Sequence, residues 1–324
     1  MMEDLAHKTI HKTYRGLGTN IYLTAFGSAK VSDLDDSYAL LQAYETALTV
    51  NRSTSELMDV NDAAGIKPVA VSDSTYQLTK LAIKTSQENF GFNALIGPLV
   101  KLWKIGFSGA NVPPKEAIAS QLSLIDPTQV ELDDDKFTIF LKQAGMQLDL
   151  GAIAKGYIAD RIQDLWAAKG ISSGMINLGG NLLLKGLAPH HPDGLWRIGI
   201  QDPFTKRGNS ILSVKYGPCS AVTSGIYERL LKTNGKTYHH ILDPKTGYPH
   251  ENNLASVTVF TKTSVQAEIE TTRLFFADGP QPDWQPTSEV YGAIFITKDR
   301  TIQICGLEPA DVFLLDDSFK LEFK

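Results

Sequence analysis

Apolar positions along the chain switch between two periods. The segment 19–26 (TNIYLTAF) is rich in aromatic and β-branched residues and reads as a strand. Beyond it, Leu34, Tyr38, Leu41, Glu45 and Leu48 fall on one mostly apolar helical face, and Ser32 with Asp35 resembles a capping box at its start. A second helix is predicted from Ser72 or Asp73, with Leu78, Leu81 and Ala82 inward, ending before Gly91. Pro113 and Pro114 suit the opening of a third, with Ile118 and Leu122 on its buried side. Segments 130–132 and 137–141 flank Asp133-Asp134-Asp135 as a hairpin.

The second half alternates differently. Strands are predicted at 175–184, 196–200, 238–242, 256–261, 291–297 and 301–305, and helices at 153–168 and 265–277. Helices and strands mix without regular βαβ alternation, which favours an α+β fold with mixed or antiparallel sheets over a doubly wound sheet. No repeat or linker marks a domain boundary, so 1–324 is expected to be a single domain, with length enough for two lobes around a cleft.

Composition narrows the function classes. Apolar residues make up 43% and charged residues 21%, which excludes a largely disordered chain. A net charge of −5 argues against a nucleic-acid backbone binder, which normally shows a basic face. No run approaches the roughly 18 apolar residues of a membrane span. The polar amino end, MMEDLAHKTIHKTYRG, lacks the apolar stretch of a secretory signal, so a cytoplasmic location is expected; a mature exported lipoprotein without its leader would read the same way. Cys219 and Cys305 lie far apart and form no CxxC pair, which argues against a disulfide framework or structural zinc.

Four glycine-bearing stretches carry candidate chemistry: DLGAIAKG (149–156), NLGGN (177–181), TSG (223–225) and HHILDPKTG (239–247). Glycines let backbone amides approach a phosphate, and Lys155, just inside a predicted helix, adds positive charge. By itself NLGGN reads first as a hairpin turn. None of the four matches GxxxxGK[ST] or strand–GxGxxG–helix. In HHILDPKTG, Ile241-Leu242 continue a strand that Asp243-Pro244 breaks into a turn closing at Gly247. A neutral imidazole at that strand end can accept a proton, and His239 and His240 point to opposite faces, so at most one faces a site. Asp243 reads equally as an Asx-turn former or a ligand-facing group. Glu268 and Thr272, spaced i, i+4, share a helix face and offer an oxygen-only pair suited to Mg²⁺; the alternatives are a solvated Glu268 and a Thr272 bonded back to a carbonyl.

Together these segments resemble the ApbE family, the FAD:protein FMN transferases, over almost the whole chain and in the family's order. RGLGT (15–19), SELMDVN (55–61), GFNALIGPLVKLW (91–103), DLGAIAKGYIAD (149–160), NLGGN, AVTSGIYER (221–229) and YHHILDPKTGYP (238–249) carry the likeness. The resemblance implies a T-fold-like α+β architecture with a central FAD cleft. It also implies Mg²⁺-dependent transfer of the FMN half of FAD to a threonine or serine hydroxyl of an acceptor flavoprotein, with release of AMP. On this resemblance the metal ligands are Glu268, Thr272 and the Ala152 carbonyl. His240 is the base or phosphate-positioning group, and Asp243 and Thr246 line the same turn. Lys155, Asn177, Gly179, Gly180, Thr223, Ser224 and Gly225 surround FAD, with Tyr227 and Arg229 nearby.

The chain departs from the family pattern at three positions. Glu268 replaces an aspartate, Asn93 stands for an aspartate, and Leu95 for a threonine. Glu270-Thr271 is also more polar than the small apolar pattern expected before Thr272. Besides transfer, two further activities are consistent with the sequence: Mg²⁺-dependent FAD hydrolysis to FMN and AMP, and FAD binding without turnover.

Overall fold

The structure, a computed structural model, describes residues 8–324; the leader expectation falls partly on residues 1–7, outside the described residues. The described residues divide into two compact units, one of residues 8–45, 155–225 and 253–324, the other of 46–154 and 226–252.

The first unit is built on a nine-stranded sheet. In spatial order its strands are Thr9–Gly16, Thr19–Phe26, Gly174–Leu178, Asn181–Lys185, Cys219–Gly225, Leu254–Thr261, Val290–Thr297, Thr301–Cys305 and Lys320–Phe323. Every neighbouring pair is antiparallel except the last. Successive side chains leave opposite faces of a strand, which assigns Leu183 and Leu184 to different cores. On one face Ile21, Leu23 and Ile176 pack with Leu34 and Leu41 of the Val31–Leu48 helix and Ile158, Ile162 and Trp166 of the Ala154–Ala168 helix. On the other face Ala255, Ile294 and Ile304 pack with Ile198 and Val214. The last two belong to a three-stranded sheet of Val312–Leu314, Ser210–Tyr216 and Trp196–Gln201. A third helix, Ser264–Phe276, packs against Cys219–Gly225 and Leu254–Thr261.

The second unit holds the helices Glu56–Asp62, Asp73–Gln87, Gly97–Trp103 and Lys115–Leu122. It also holds a small sheet of Val69–Ala70, Thr138–Leu141 and Val130–Asp133, and the hairpin Leu230–Thr233/Lys236–His239. Ser55 caps the first of these helices by accepting from Met58 N–H at 2.9 Å, and Ser72 caps the second through Thr75 N–H.

Several boundaries differ from the sequence reading, each for a local reason. The expected capping pair Ser32 and Asp35 lies inside the Val31–Leu48 helix. Asp33 supplies the cap instead, accepting from Lys30 N–H at 2.8 Å, while Asp35 pairs with Lys12 and Tyr14 across to the edge strand. The run 175–184 breaks into two strands at Gly179-Gly180, where both residues have positive φ and form a two-residue hairpin. The strand expected over 238–242 stops at His239, because the His239 ring takes the Ile241 N–H; Leu242 keeps only an isolated bridge to Pro249. Among the described residues no helix is long and apolar enough to cross a membrane.

Candidate functional site

In the first unit the candidate chemistry gathers around Glu268. The residue is 7% exposed, and its Oε1 accepts from Asn181 Nδ2 at 2.8 Å while facing Lys155 Nζ at 3.9 Å. Burial pushes this carboxyl upward; the Lys155 charge, the Asn181 amide and the Gly156 N–H oppose the shift without cancelling it. Thr272 Oγ1 donates to the Glu268 carbonyl at 3.1 Å, the back-bonded alternative. That bond uses the hydroxyl proton and leaves oxygen lone pairs.

The helix carrying this pair has no side-chain cap of its own at Thr263. Asp160, from the Ala154–Ala168 helix, supplies one, accepting from Ser264 N–H at 2.7 Å and Val265 N–H at 2.9 Å. Gly156 lies on the same helix, and a Cβ there would stand 2.5 Å from the Ser264 carbonyl oxygen and 2.8 Å from Glu268 Cγ. Only glycine lets the two helices approach this closely.

The remaining first-unit candidates sit on strand ends and turns. Asn177 Oδ1 accepts from Gly180 N–H at 2.9 Å, so its side chain shapes the Gly179-Gly180 hairpin. Arg207 Nη2 donates to the Gly179 carbonyl at 3.3 Å, setting a guanidinium beside that turn. The Thr223 hydroxyl lies 2.7 Å from that of Thr258, its cross-strand partner, and Ser224 and Gly225 end the same strand.

The second unit holds Ala152, His240, Asp243 and Thr246. Ala152 is exposed in the turn leading into the Ala154–Ala168 helix. Asp149 Oδ1 accepts from Gly151 N–H at 2.9 Å and so orients that turn; burial pushes the Asp149 carboxyl upward, opposed by the Gly151 amide, Arg229 and Lys101. His239 is excluded as a proton acceptor. Its Nδ1 takes the Ile241 N–H, so the proton is on Nε2, which donates to the His250 carbonyl at 2.9 Å. His240, half-buried just beyond the strand, is the remaining imidazole of the pair. Asp243 builds the turn: Oδ1 accepts from Lys245 N–H at 2.8 Å, its carbonyl accepts from Gly247 N–H at 2.7 Å, and Oδ2 faces His250 Nδ1 at 3.6 Å. Thr246 is exposed, and its hydroxyl accepts from Tyr248 N–H at 3.2 Å.

The donor chemistry fits a magnesium ion. Glu268 is a buried carboxylate whose charge its neighbours offset only in part, and Thr272 adds a second oxygen. Among the described residues no cluster of three or more His, Cys, Asp or Glu forms a cage. Mg²⁺ does not need one, since it keeps waters and takes phosphate oxygens.

The sequence profile of the ApbE family matches residues 17–285. The chain belongs to the ApbE family. It is 43% identical over 287 residues to the FAD:protein FMN transferase of Klebsiella pneumoniae (strain 342), covering 88% of each chain. Identity to the FAD:protein FMN transferase of Treponema pallidum (strain Nichols) is 38% over 303 residues, covering 89% of this chain and 83% of that one. In three dimensions it resembles the ApbE protein of Thermotoga maritima MSB8, with a TM-score of 0.81 at 25% identity over 92% of this chain and 97% of that one. Against the flavin transferase ApbE from Vibrio cholerae the TM-score is 0.76 at 26% identity, over 90% and 94%. The expected family and α+β class both hold.

Several ApbE-motif residues have roles the sequence did not show. Asn61, at the end of SELMDVN, donates to the Leu148 carbonyl at 3.0 Å and accepts from Leu148 N–H at 2.7 Å, anchoring the backbone just before Asp149. Trp103, at the end of GFNALIGPLVKLW, is fully buried and donates to the Gly247 carbonyl. Asn93 donates to the Ile125 carbonyl at 2.8 Å and accepts from Leu95 N–H at 2.8 Å, while Leu95 is fully buried. The only sequence signal for these bonds was membership in the motifs, because each joins segments far apart in the chain or uses a side chain that is equally at home on a surface.

Proposed function

We propose that this ApbE-family enzyme moves the FMN half of FAD onto a threonine or serine hydroxyl of an acceptor protein, with Mg²⁺ and with release of AMP. The observation that carries this reading is the buried Glu268 carboxylate, held by Asn181 beside Lys155 on a helix face that also offers the Thr272 hydroxyl. A desolvated anion supplied with oxygen neighbours suits a cation that must in turn meet phosphates.

In the reaction the acceptor hydroxyl oxygen bonds to the phosphorus on the riboflavin side of the pyrophosphate. The bond from that phosphorus to the bridging oxygen breaks, AMP departs, and the hydroxyl proton passes to a base. Glu268 and Thr272, with the Ala152 carbonyl implied by the family likeness, would hold Mg²⁺, which supplies charge neutralisation at the pyrophosphate. Lys155 adds a fixed ammonium to the same charge problem. His240 takes the hydroxyl proton, since the His239 ring is committed to backbone bonds. Asp243 acts by shaping the turn that carries Thr246 and by facing His250. The hairpin at Gly179-Gly180 and the strand end at Thr223–Gly225 present backbone to FAD without bulky side chains.

The test is incubation with FAD, Mg²⁺ and an acceptor domain, followed by denaturing electrophoresis. Flavin fluorescence retained on the acceptor, with equimolar AMP, is the expected result. Free FMN and AMP without labelled acceptor would make the enzyme a hydrolase, and intact bound FAD would make it a binding protein.

A further inference from the structure

Asn181 closes the Gly179-Gly180 hairpin and is 1% exposed. Its side chain faces two groups at once. Nδ2 donates to Glu268 Oε1 at 2.8 Å, and Oδ1 accepts from Ser264 Oγ at 2.8 Å. A carboxylate only accepts, so the opposite amide orientation would set oxygen against oxygen at Glu268; Glu268 therefore sets the amide's orientation and Ser264 tethers its oxygen end. Ser264 opens the helix, Glu268 follows one turn later, and Asn181 belongs to the sheet beneath. The other side of the Glu268 arm is closed by Gly156, which leaves room for Cγ and for nothing larger than hydrogen at its own Cα. A glutamate arm has three rotatable bonds, and this arrangement holds it in one seat.

We propose that Asn181 is a positioning residue for the Glu268 carboxylate, locked by Ser264, and that this clamp sets the enzyme's affinity for its divalent cation. The inference rests on the proposed function, in which Glu268 is a metal ligand. Outer-shell partners of ligating carboxylates typically change metal affinity by about 10- to 100-fold when removed. The clamp acts on the carboxylate and makes no claim on the flavin, so metal-free FAD affinity is unaffected by it.

The test uses the full chain saturated with FAD, with MgCl₂ titrated by calorimetry, and FAD affinity measured separately without metal. Asn181→Leu removes both bonds at similar volume and is expected to weaken Mg²⁺ binding by about 10- to 100-fold with metal-free FAD affinity unchanged. Ser264→Ala leaves the amide bonded to Glu268 but removes the hydroxyl that tethers its other end, and is expected near the lower end of that range; it carries the test should the leucine variant fail to fold. Folded variants that bind Mg²⁺ as tightly as the parent would overturn the clamp while leaving transfer intact. A parent enzyme that binds no Mg²⁺ would overturn the clamp together with the metal-dependent reading on which it rests.

Discussion

The indole Nε1 of Trp103 donates to the carbonyl of Gly247 at 2.8 Å, joining two motifs 144 residues apart. Trp103 also packs against Tyr238 and Tyr248, with ring centroids 5.4 and 5.7 Å away. Gly247 itself has φ +75, and a Cβ there would stand 2.4 Å from Ile118. The turn that carries Asp243 and Thr246 is thus seated on the second unit's core. Trp103→Phe keeps most of the ring contacts and orphans a buried carbonyl, which should cost about 1–3 kcal/mol in urea unfolding. Amides of the 243–247 turn should exchange faster in the same variant. Unchanged exchange would show that the aromatic contacts alone hold the turn.

Asn61 satisfies both the N–H and the C=O of Leu148. Asn61→Leu leaves two buried backbone groups unpaired, so a loss of about 2–4 kcal/mol is expected by chemical denaturation. The backbone from Leu148 to Ala152 should loosen with it, visible as raised amide exchange at Gly151.

At position 93, where the family likeness implies an aspartate, the Asn93 side chain both donates and accepts. Asn93→Asp replaces the amide that donates to the Ile125 carbonyl with a carboxylate oxygen facing that carbonyl. A fall in stability of about 1–3 kcal/mol is expected by thermal or urea unfolding. A variant as stable as the parent would show that the site can rearrange.

Burial lifts the Asp160 carboxyl from 3.8 to about 6, against the pull of the Ser264 and Val265 amides. Between those values the folded state holds a proton that the unfolded chain has released. This group therefore favours folding at the acid end of that window, and its contribution is lost as pH rises through about 6. Two pH units correspond to about 3 kcal/mol. Asp160→Asn cannot titrate, so the parent's unfolding free energy minus the variant's should fall as pH rises across the window. A flat difference would mean that the cap bonds offset burial.

The adjacent histidines should separate by phenotype. His239→Ala removes two backbone contacts and should lower stability by about 1–3 kcal/mol. His240→Ala should abolish FMN transfer to the acceptor while FAD binding is largely retained, checked by denaturing electrophoresis and by fluorescence titration. Normal labelling by the His240 variant would remove that residue from the chemistry.

Local pattern was enough wherever a segment's structure follows from its own residues. The strand Thr19–Phe26, the face of Leu34 and Leu41, the helix start at Ser72 or Asp73 and the mixed α+β class were all legible, because side-chain period and helix-start chemistry act within a few residues. The edge strand Thr9–Gly16 was not, since its polar TIHKTYRG sequence gains its strand structure from pairing with Thr19–Phe26. The early stop at His239 was also hidden, because a ring nitrogen competes there with the ladder for one amide.

For the site, the sequence by itself determined which residue types were present and, through the order of its motifs, the family. Tertiary structure decided what those side chains touch. It buried Glu268 against Asn181 and Lys155, capped the Ser264–Phe276 helix with a carboxylate from another helix, and committed His239 to the backbone. The bonds at Glu268 and at the start of the Ser264–Phe276 helix join groups 87 and 104 positions apart, and no local preference encodes which distant partner will arrive. Only the packed sheet and helices bring them within hydrogen-bonding reach.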